Sequence, residues 1–497
     1  MAQPPDLVPL ALPPGMKNVG TGYSSKNRFF TGNLVRWRGG VLEPIGGWSA
    51  RGTTALTGVG RAIEVWRDNG NNIWIAVGTE QGLFIQSFSG ALYNITPTGF
   101  SGGYANAGFL GGYGSGEYGT GYGYGTSPPS DGTQQDATMW SFDTFGPYLV
   151  GVSSSDGKIY EWQLATGTPA AQITNSPTCT ALIVTADHII MALAANGDPR
   201  QVTWCDQSNN TLWTASNTNT AGSNELSTNG RLMCGKNISG GTLLFTDVDL
   251  WLATNIQNEE IYGFTKVGDG CGIISRGAAA ALGSQAMWMG ENQFYLYNGA
   301  VTEAVPCEVG DFVFNNINLV QKSKIVCLSN SLFNEVTWFY QSLGGAEIDS
   351  YVTYNYQDEN WSTGNLVRLS GIDRGALSNP LMVGADGLIY QHELGLNWSG
   401  LVPFATSGTL EIGNGDDVAT VLGLIPDEKT LGNVQASFVG KLYPNDPDPI
   451  SYGPYSPAAK TDFMFSAREI SVTYQATGPV AFRVGTPRLL VKASGKR

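Results

Sequence analysis

The sequence predicts an all-β protein, with a β-propeller-like body followed by a C-terminal β-sheet or sandwich platform. Three observations predict it. Helical periodicity is scarce: few windows carry apolar residues at i, i+3, i+4 and i+7 over more than two turns. Short runs rich in Val, Ile, Tyr, Phe and Trp end again and again in Gly, Asn or Asp. One unit also recurs, an apolar strand, a polar turn and an aromatic strand. With 42 % hydrophobic and only 14 % charged residues, a core can form, and neither a long coiled coil nor a highly charged disordered chain fits.

Residues 1–50 form an N-terminal arm with the first strands. A Pro-rich start gives way to a polar, basic stretch with Asn33-Leu34-Val35-Arg36-Trp37-Arg38-Gly39-Gly40. If that run is extended, Arg36 and Arg38 share a face. Three readings follow: an ordinary surface strand, aromatic and arginine side chains stacking on bases, or an anchor on a neighbouring subunit. The acidity of the whole chain favours the anchor over the nucleic-acid surface. Arg36, Trp37 and Arg38 are therefore candidate interface residues.

Residues 51–400 form the propeller-like body. The clearest copies of the unit run from Ile73 to Phe88, Tyr148 to Trp162, Ala286 to Gly299 and Leu381 to His392. Weaker copies lie at Ile189 to Trp204, Leu243 to Ala253 and Val352 to Trp361. Asp156-Gly157 and Asp386-Gly387 supply the positive φ of a tight turn. A lone hairpin is marginal in water, so repeated hairpins must stack; radial stacking gives a propeller, here of five to seven blades. Stacked sandwiches are the alternative.

An insertion at 101–135 interrupts the body. Its run from Gly111 to Gly125 alternates Gly and Tyr, too rich in glycine to form a packed core. It reads as a surface loop or as a contact arm, with Tyr118, Tyr122 and Tyr124 as candidate interface residues. Residues 401–497 form the C-terminal platform, with expected strands at 421–425 and 434–438 and two more around Thr477-Gly478-Pro479. A basic tail closes the chain.

Charge is uneven. Residues 1–70 and 441–497 each carry 8 basic and 4 acidic side chains, whereas 71–440 carry 11 basic and 33 acidic. The net charge of −14 excludes an overall basic nucleic-acid binder. Chemistry is sparse. There are 2 histidines, His188 and His392, and both look like hairpin residues. The 6 cysteines are at least 20 residues apart and read as free buried thiols. The pairs Asp247/Asp249 and Asp358/Glu359 read as turn carboxylates. No catalytic residue, metal site or cofactor is expected, and the chain reads as a non-enzyme. No apolar run is long enough for a transmembrane helix. The N-terminus has no export signal, which predicts synthesis in a cytoplasm.

The Asn33–Gly40 stretch leading to Pro44-Ile45-Gly46-Gly47-Trp48 resembles the opening of β-propeller tail nozzle or tail-hub proteins of short-tailed bacteriophages. The strands Ile73–Thr79 and Gly82-Leu83-Phe84, the Tyr-Gly repeats of 113–125 and Phe482-Arg483-Val484-Gly485-Thr486-Pro487-Arg488-Leu489 are similar to that family as well. The resemblance implies a structural virion protein in the phage tail. It would form a homohexameric ring beneath a portal-adaptor protein and carry tail fibres or a needle. Phage DNA would be retained and ejected through the ring without sequence-specific binding. Two other functions stay open on the residues: a receptor- or glycan-binding propeller module, and a propeller glycoside hydrolase with paired carboxylates in a central cleft.

Overall fold

A computed structural model of the chain describes residues 5–109, 134–256, 258, 260–412 and 417–495. Seven four-stranded antiparallel sheets follow one another along the chain. Their first strands are Ala62–Arg67, Trp140–Phe145, Ala181–Val184, Leu232–Ile238, Ala279–Leu282, Val326–Asn330 and Ser370–Ile372. Each of these strands adjoins the next, and the last adjoins the first, so they form the inner wall of a ring. The body is a seven-bladed β-propeller, at the upper limit of the expected range.

The recurring sequence units mark all seven blades. In six of them the recognised hairpin is the second and third strands; Val352 to Trp361 is the third and fourth. Local chemistry explains why the turns form. Gly157 and Gly387 adopt φ of 68° and 75°. Asp156 accepts from the Lys158 amide at 3.2 Å and from Tyr160 Oη at 2.5 Å. Asp386 accepts from the Leu388 amide at 3.1 Å and also from Tyr390 Oη. The two copies of Asp-Gly-x-Ile-Tyr thus fold identically, with the tyrosine strapped back over the turn.

Tryptophan N–H groups pin neighbouring blades. Trp140 of blade two donates to the Thr79 carbonyl of blade one at 2.8 Å, and Trp338 of blade six to the Ala278 carbonyl beside blade five at 2.9 Å. Buried aromatic rings with satisfied polar ends hold the blades at fixed spacing.

The seventh blade is completed from far away in sequence. Its outer strand is Trp48–Ala50, paired with Ile389–His392, so the ring is closed by the N-terminal segment. The same segment builds the platform. One sheet has the order Asp6–Pro9, Arg488–Gly495, Val418–Ile425, Thr461–Ala467. The other has Phe29–Asn33, Phe404–Ser407, Glu469–Ala476, Val434–Lys441, Ile450–Tyr455. Val421, Phe438, Phe465, Val472, Leu489 and Val491 fill the space between them. Phe29–Asn33 lies along Asn360–Asn365, the outer strand of blade six, which seats the sandwich against the propeller rim.

One expected strand is corrected. Val480 to Val484 is irregular, with Val484 alone bridging to Leu42 and Glu428. Phe482 and Val484 are buried there by packing and not by ladder pairing. The strand that completes the sheet is Arg488–Gly495, where the sequence predicts a basic tail.

Candidate functional site: the central channel

The inner strands enclose a cavity of about 280 Å³ on the propeller axis. All seven blades line it. Most of its wall is small or apolar, including Ile63, Ala181, Leu182, Gly235, Val326 and Gly371. Five charged side chains interrupt that wall: Arg61 and Glu64 from blade one, Asp143 from blade two, Lys236 from blade four and Arg276 at the start of blade five.

The carboxyls lie midway along their strands. Asp143 is held by two backbone amides: Thr144 N donates to Oδ1 and Val184 N of blade three to Oδ2, each at 2.8 Å. Burial raises the Asp143 pKa, and those amide bonds together with Lys236 oppose the rise without cancelling it. Glu64 accepts one bond, from the Val65 amide at 3.2 Å. Burial, with the Asp143 charge as the second cause, pushes Glu64 up to about 8. At neutral pH Glu64 therefore carries a proton and can donate as well as accept.

The cations are arranged differently. Among the described residues, no hydrogen bond or ion pair joins the Lys236 ammonium to a partner, although its field reaches Glu64, Asp143, Cys234 and Cys327. Arg276 donates Nη1 to the Met233 carbonyl at 2.8 Å and has no carboxylate within ion-pair distance among the described residues. Burial, then the nearby Arg231 charge, pulls the Arg276 pKa down to about 10, which still leaves it protonated at neutral pH.

One mouth of the channel is covered by the base of the insertion. Gly108–Phe109 pairs with Gln134–Gln135, and the flanking residues spread over the start of the inner strands. Arg61 of blade one donates to the Ala105 carbonyl at 2.8 Å. Ala107 and Gln321 exchange two bonds, at 2.9 and 2.8 Å, just ahead of blade six. Asp136 meets Arg231, ahead of blade four, at 3.5 Å. Beneath this cover, Arg61 forms a forked ion pair with Glu347 at 2.8 and 2.6 Å. Lys324, fully buried, donates to Asn106 Oδ1 and the Ala346 carbonyl, both at 2.5 Å.

The residues singled out in the sequence lie elsewhere. Arg36 is buried and forked onto Glu335 at 2.8 and 2.9 Å, and it also bonds Glu393 at 3.0 and 2.5 Å. Trp37 is buried against Phe29, with ring centroids 5.1 Å apart. Arg38 is exposed; it shares the Phe333 ring with Arg36, as the common strand face requires. Tyr118, Tyr122 and Tyr124 lie outside the described residues. His392 is buried, accepting from Arg368 Nε at 2.8 Å and stacked on Trp48. Burial and the Arg368 charge hold it well below the usual histidine range, so it is not a proton carrier near neutral pH. His188 sits in a turn at φ 60°. Asp249 is buried at a turn, ion-paired with Lys266 at 2.9 Å, and Glu359 is a turn residue at φ 52°. All 6 cysteines are free, with their thiol pKa values raised chiefly by burial. No group of three or more His, Cys, Asp or Glu placed to hold a metal occurs among the described residues.

Glu64, Asp143, Lys236 and Arg276 were not singled out by the sequence reading. For two of them a signal was present: Ile63-Glu64-Val65-Trp66 sets a charge among apolar residues and Phe142-Asp143-Thr144-Phe145 sets one between aromatic residues, each just ahead of a recognised hairpin.

No family model matches the chain, and no curated protein matches it. Similar solved structures share the propeller. The Cps50 (Swd1) β-propeller domain of Myceliophteria thermophila is 8 % identical, with 70 % of this chain and 99 % of that one covered and a TM-score of 0.41. The virginiamycin B lyase of Staphylococcus aureus is 8 % identical, covering 67 % and 94 %, with a TM-score of 0.40. The Pan2 WD40 domain of Neurospora crassa is 10 % identical, covering 69 % and 94 %, at 0.39. At this distance they speak to architecture alone. They correct the expectation of a phage tail nozzle, because these matches are propeller domains and a lyase and not tail proteins. The residues that carried that resemblance have a role within the chain. Arg36 and Trp37 pack inward, and Val484 bridges to Leu42, so these segments stitch platform to propeller.

Proposed function

We propose that the chain is a ligand-binding β-propeller whose central channel receives a small, hydroxyl-rich ligand of the saccharide class. One observation carries this reading: Glu64, Asp143 and Lys236, from three different blades, converge on one cavity that all seven blades line, among small and apolar side chains and two arginines, Arg61 and Arg276. Sites for small ligands are concave and mostly apolar, with a few convergent polar groups that fix orientation. The cavity is near the lower end of the common range of about 300–1,000 Å³, which suits a ligand the size of one sugar ring. A protonated Glu64 and an amide-anchored Asp143 offer a hydroxyl-bearing ring one donor and several acceptors without demanding a counter-charge. Binding is tested by titration calorimetry of the full chain against neutral and acidic monosaccharides. Saturable binding that is lost in Asp143→Ala supports the reading; no binding across the panel, or binding unaffected by that substitution, contradicts it.

The same carboxyl pair favours a second reading, glycoside hydrolysis. That chemistry uses two carboxyls flanking the bond to be cleaved, one of them a proton donor, the state Glu64 holds at neutral pH. Its test is product release from aryl glycosides by the wild-type chain, abolished in Glu64→Gln. A chain that binds sugars and releases no product is a binding module.

A further inference from the structure

Glu64 and Asp143 meet in the channel on unequal terms. They come from the neighbouring inner strands Ala62–Arg67 and Trp140–Phe145 and line the same cavity. Both Asp143 oxygens are taken by backbone amides, Thr144 on one and Val184 on the other, which hold it as an acceptor. Glu64 accepts one amide bond at Oε1, and its Oε2 bonds to no described residue. Among the described residues no cation is hydrogen-bonded to either carboxyl.

The surroundings leave Glu64 as the group that exchanges a proton. The strands packed on its own are Ile73–Gly78, Trp140–Phe145 and Ser370–Ile372, and Asp143 is the one titratable side chain among them. Arg67 and Asp68, at the end of the Glu64 strand, are tied into the turn that follows through Asn71 and Asn72. The cavity wall adds Lys236, whose charge favours ionised Glu64, with Arg61, Arg276, Cys234 and Cys327. Burial and the Asp143 charge outweigh Lys236 and set Glu64 at about 8, while burial raises both thiols above that. A ligand that displaces water from this space deepens the desolvation and favours the neutral carboxyl further. Loss of the proton acts the other way: it removes the donor and sets a second anion beside Asp143.

We propose, resting on the ligand-binding reading above, that Glu64 is the proton switch of the channel: an uncharged, hydroxyl-bearing ligand binds with Glu64 protonated and donating to a ligand oxygen, and is released when that proton is lost. Binding is non-covalent, and the only bond formed is the Glu64 O–H, its proton drawn from solvent.

The test is titration calorimetry of the full chain with glucose, galactose and N-acetylglucosamine, whose own ionisation lies outside the range examined. Affinity should fall about tenfold between about pH 7 and about pH 9, as the protonated fraction of Glu64 falls, while the circular dichroism spectrum stays the same. Glu64→Gln, which cannot ionise, should bind equally at both, whatever its affinity. If that variant fails to fold or to bind, the wild type is titrated at about pH 8 in phosphate and in Tris, and the difference in enthalpy should report about half a proton taken up per sugar. Equal enthalpies in the two buffers overturn the proposal. Affinity independent of pH in the wild type overturns the switch and leaves the channel as a saccharide site. A fall that persists in Glu64→Gln overturns its assignment to Glu64. Absence of binding by all three sugars at either pH overturns this proposal together with the reading it rests on.

Discussion

Arg36 meets Glu335 and Glu393 in a buried triad with four hydrogen bonds, its guanidinium lying 3.7 Å from the Phe333 ring centre. The three residues come from the N-terminal segment, blade six and the end of blade seven, so the triad ties three parts of the chain at one point. Removing the cation leaves two carboxylates buried without a counter-charge, a loss of about 3–5 kcal/mol. Arg36→Met is expected to lower the urea midpoint accordingly, whereas Arg38→Met, at an exposed position, should shift it by about 0.5 kcal/mol or less. Equal effects of the two would contradict the triad. Glu64 gives a prediction in pH. Its folded pKa of about 8 stands above the ordinary value of 4.5, so between those limits the folded state holds a proton that the unfolded chain has released. Stability contributed by that proton is complete below about 4.5 and is lost as pH rises toward 8. Asp143, Lys236 and Arg276 face the same space, and channel water screens the effect, which leaves about 1–3 kcal/mol. Glu64→Gln should flatten this part of the stability profile; parallel profiles for variant and wild type would refute a protonated Glu64.

At the level of elements, the seventh blade decides whether the ring stays shut. Trp48, on the strand that closes it, stacks on His392 and donates Nε1 to Ser399 at 2.9 Å. Arg368 is clamped between the Trp48 and Tyr390 rings, 4.7 Å from each centre. Trp48→Ala removes one wall of that clamp, at about 3–5 kcal/mol. The loss should appear locally first. Amide exchange is expected to accelerate at 48–50 and 389–392 while the blade-four strands keep their protection. Uniform acceleration around the ring would mean that closure is not the weak point. How far the elements were legible follows from the range of the interactions that specify them. The hairpins at 73–88, 148–162 and 381–392 were readable because turn chemistry and alternation are local. Trp48–Ala50 as the last strand of a blade ending at His392 was not readable, because nothing near Trp48 encodes its partner. The same holds for Asp6–Pro9 and Phe29–Asn33, which the sequence placed in an arm and the fold places in two sheets of the sandwich. Val480 to Val484 misled because its alternation matches a strand, while Phe482 and Val484 are buried through tertiary packing that alternation cannot distinguish from pairing. In the candidate site, the charges of Glu64 and Asp143 were visible in apolar strands. Their convergence depended on knowing that those strands line an axis.

For the whole molecule, one chain threads sandwich, rim and last blade before it builds the first blade, and returns to the sandwich at its end. Propeller and platform share one apolar core: Met16, Trp361, Phe438 and Leu489 belong to a single buried cluster. Each part therefore depends on the N-terminal segment, and the channel is held open by a ring that cannot close without it. The acidic middle of the sequence finds a partial explanation in this architecture, since the Asp156, Asp249 and Asp386 carboxylates each accept a hydrogen bond from a residue of their own turn. The central claim is that the axis of the propeller is a ligand site. Diffraction from crystals of the full chain soaked in a monosaccharide tests it most directly. Density for one sugar ring on the axis, in contact with Glu64 and Asp143, is the expected result. An axis holding only water while the sugar occupies the outer surface, or binds nowhere, would contradict it.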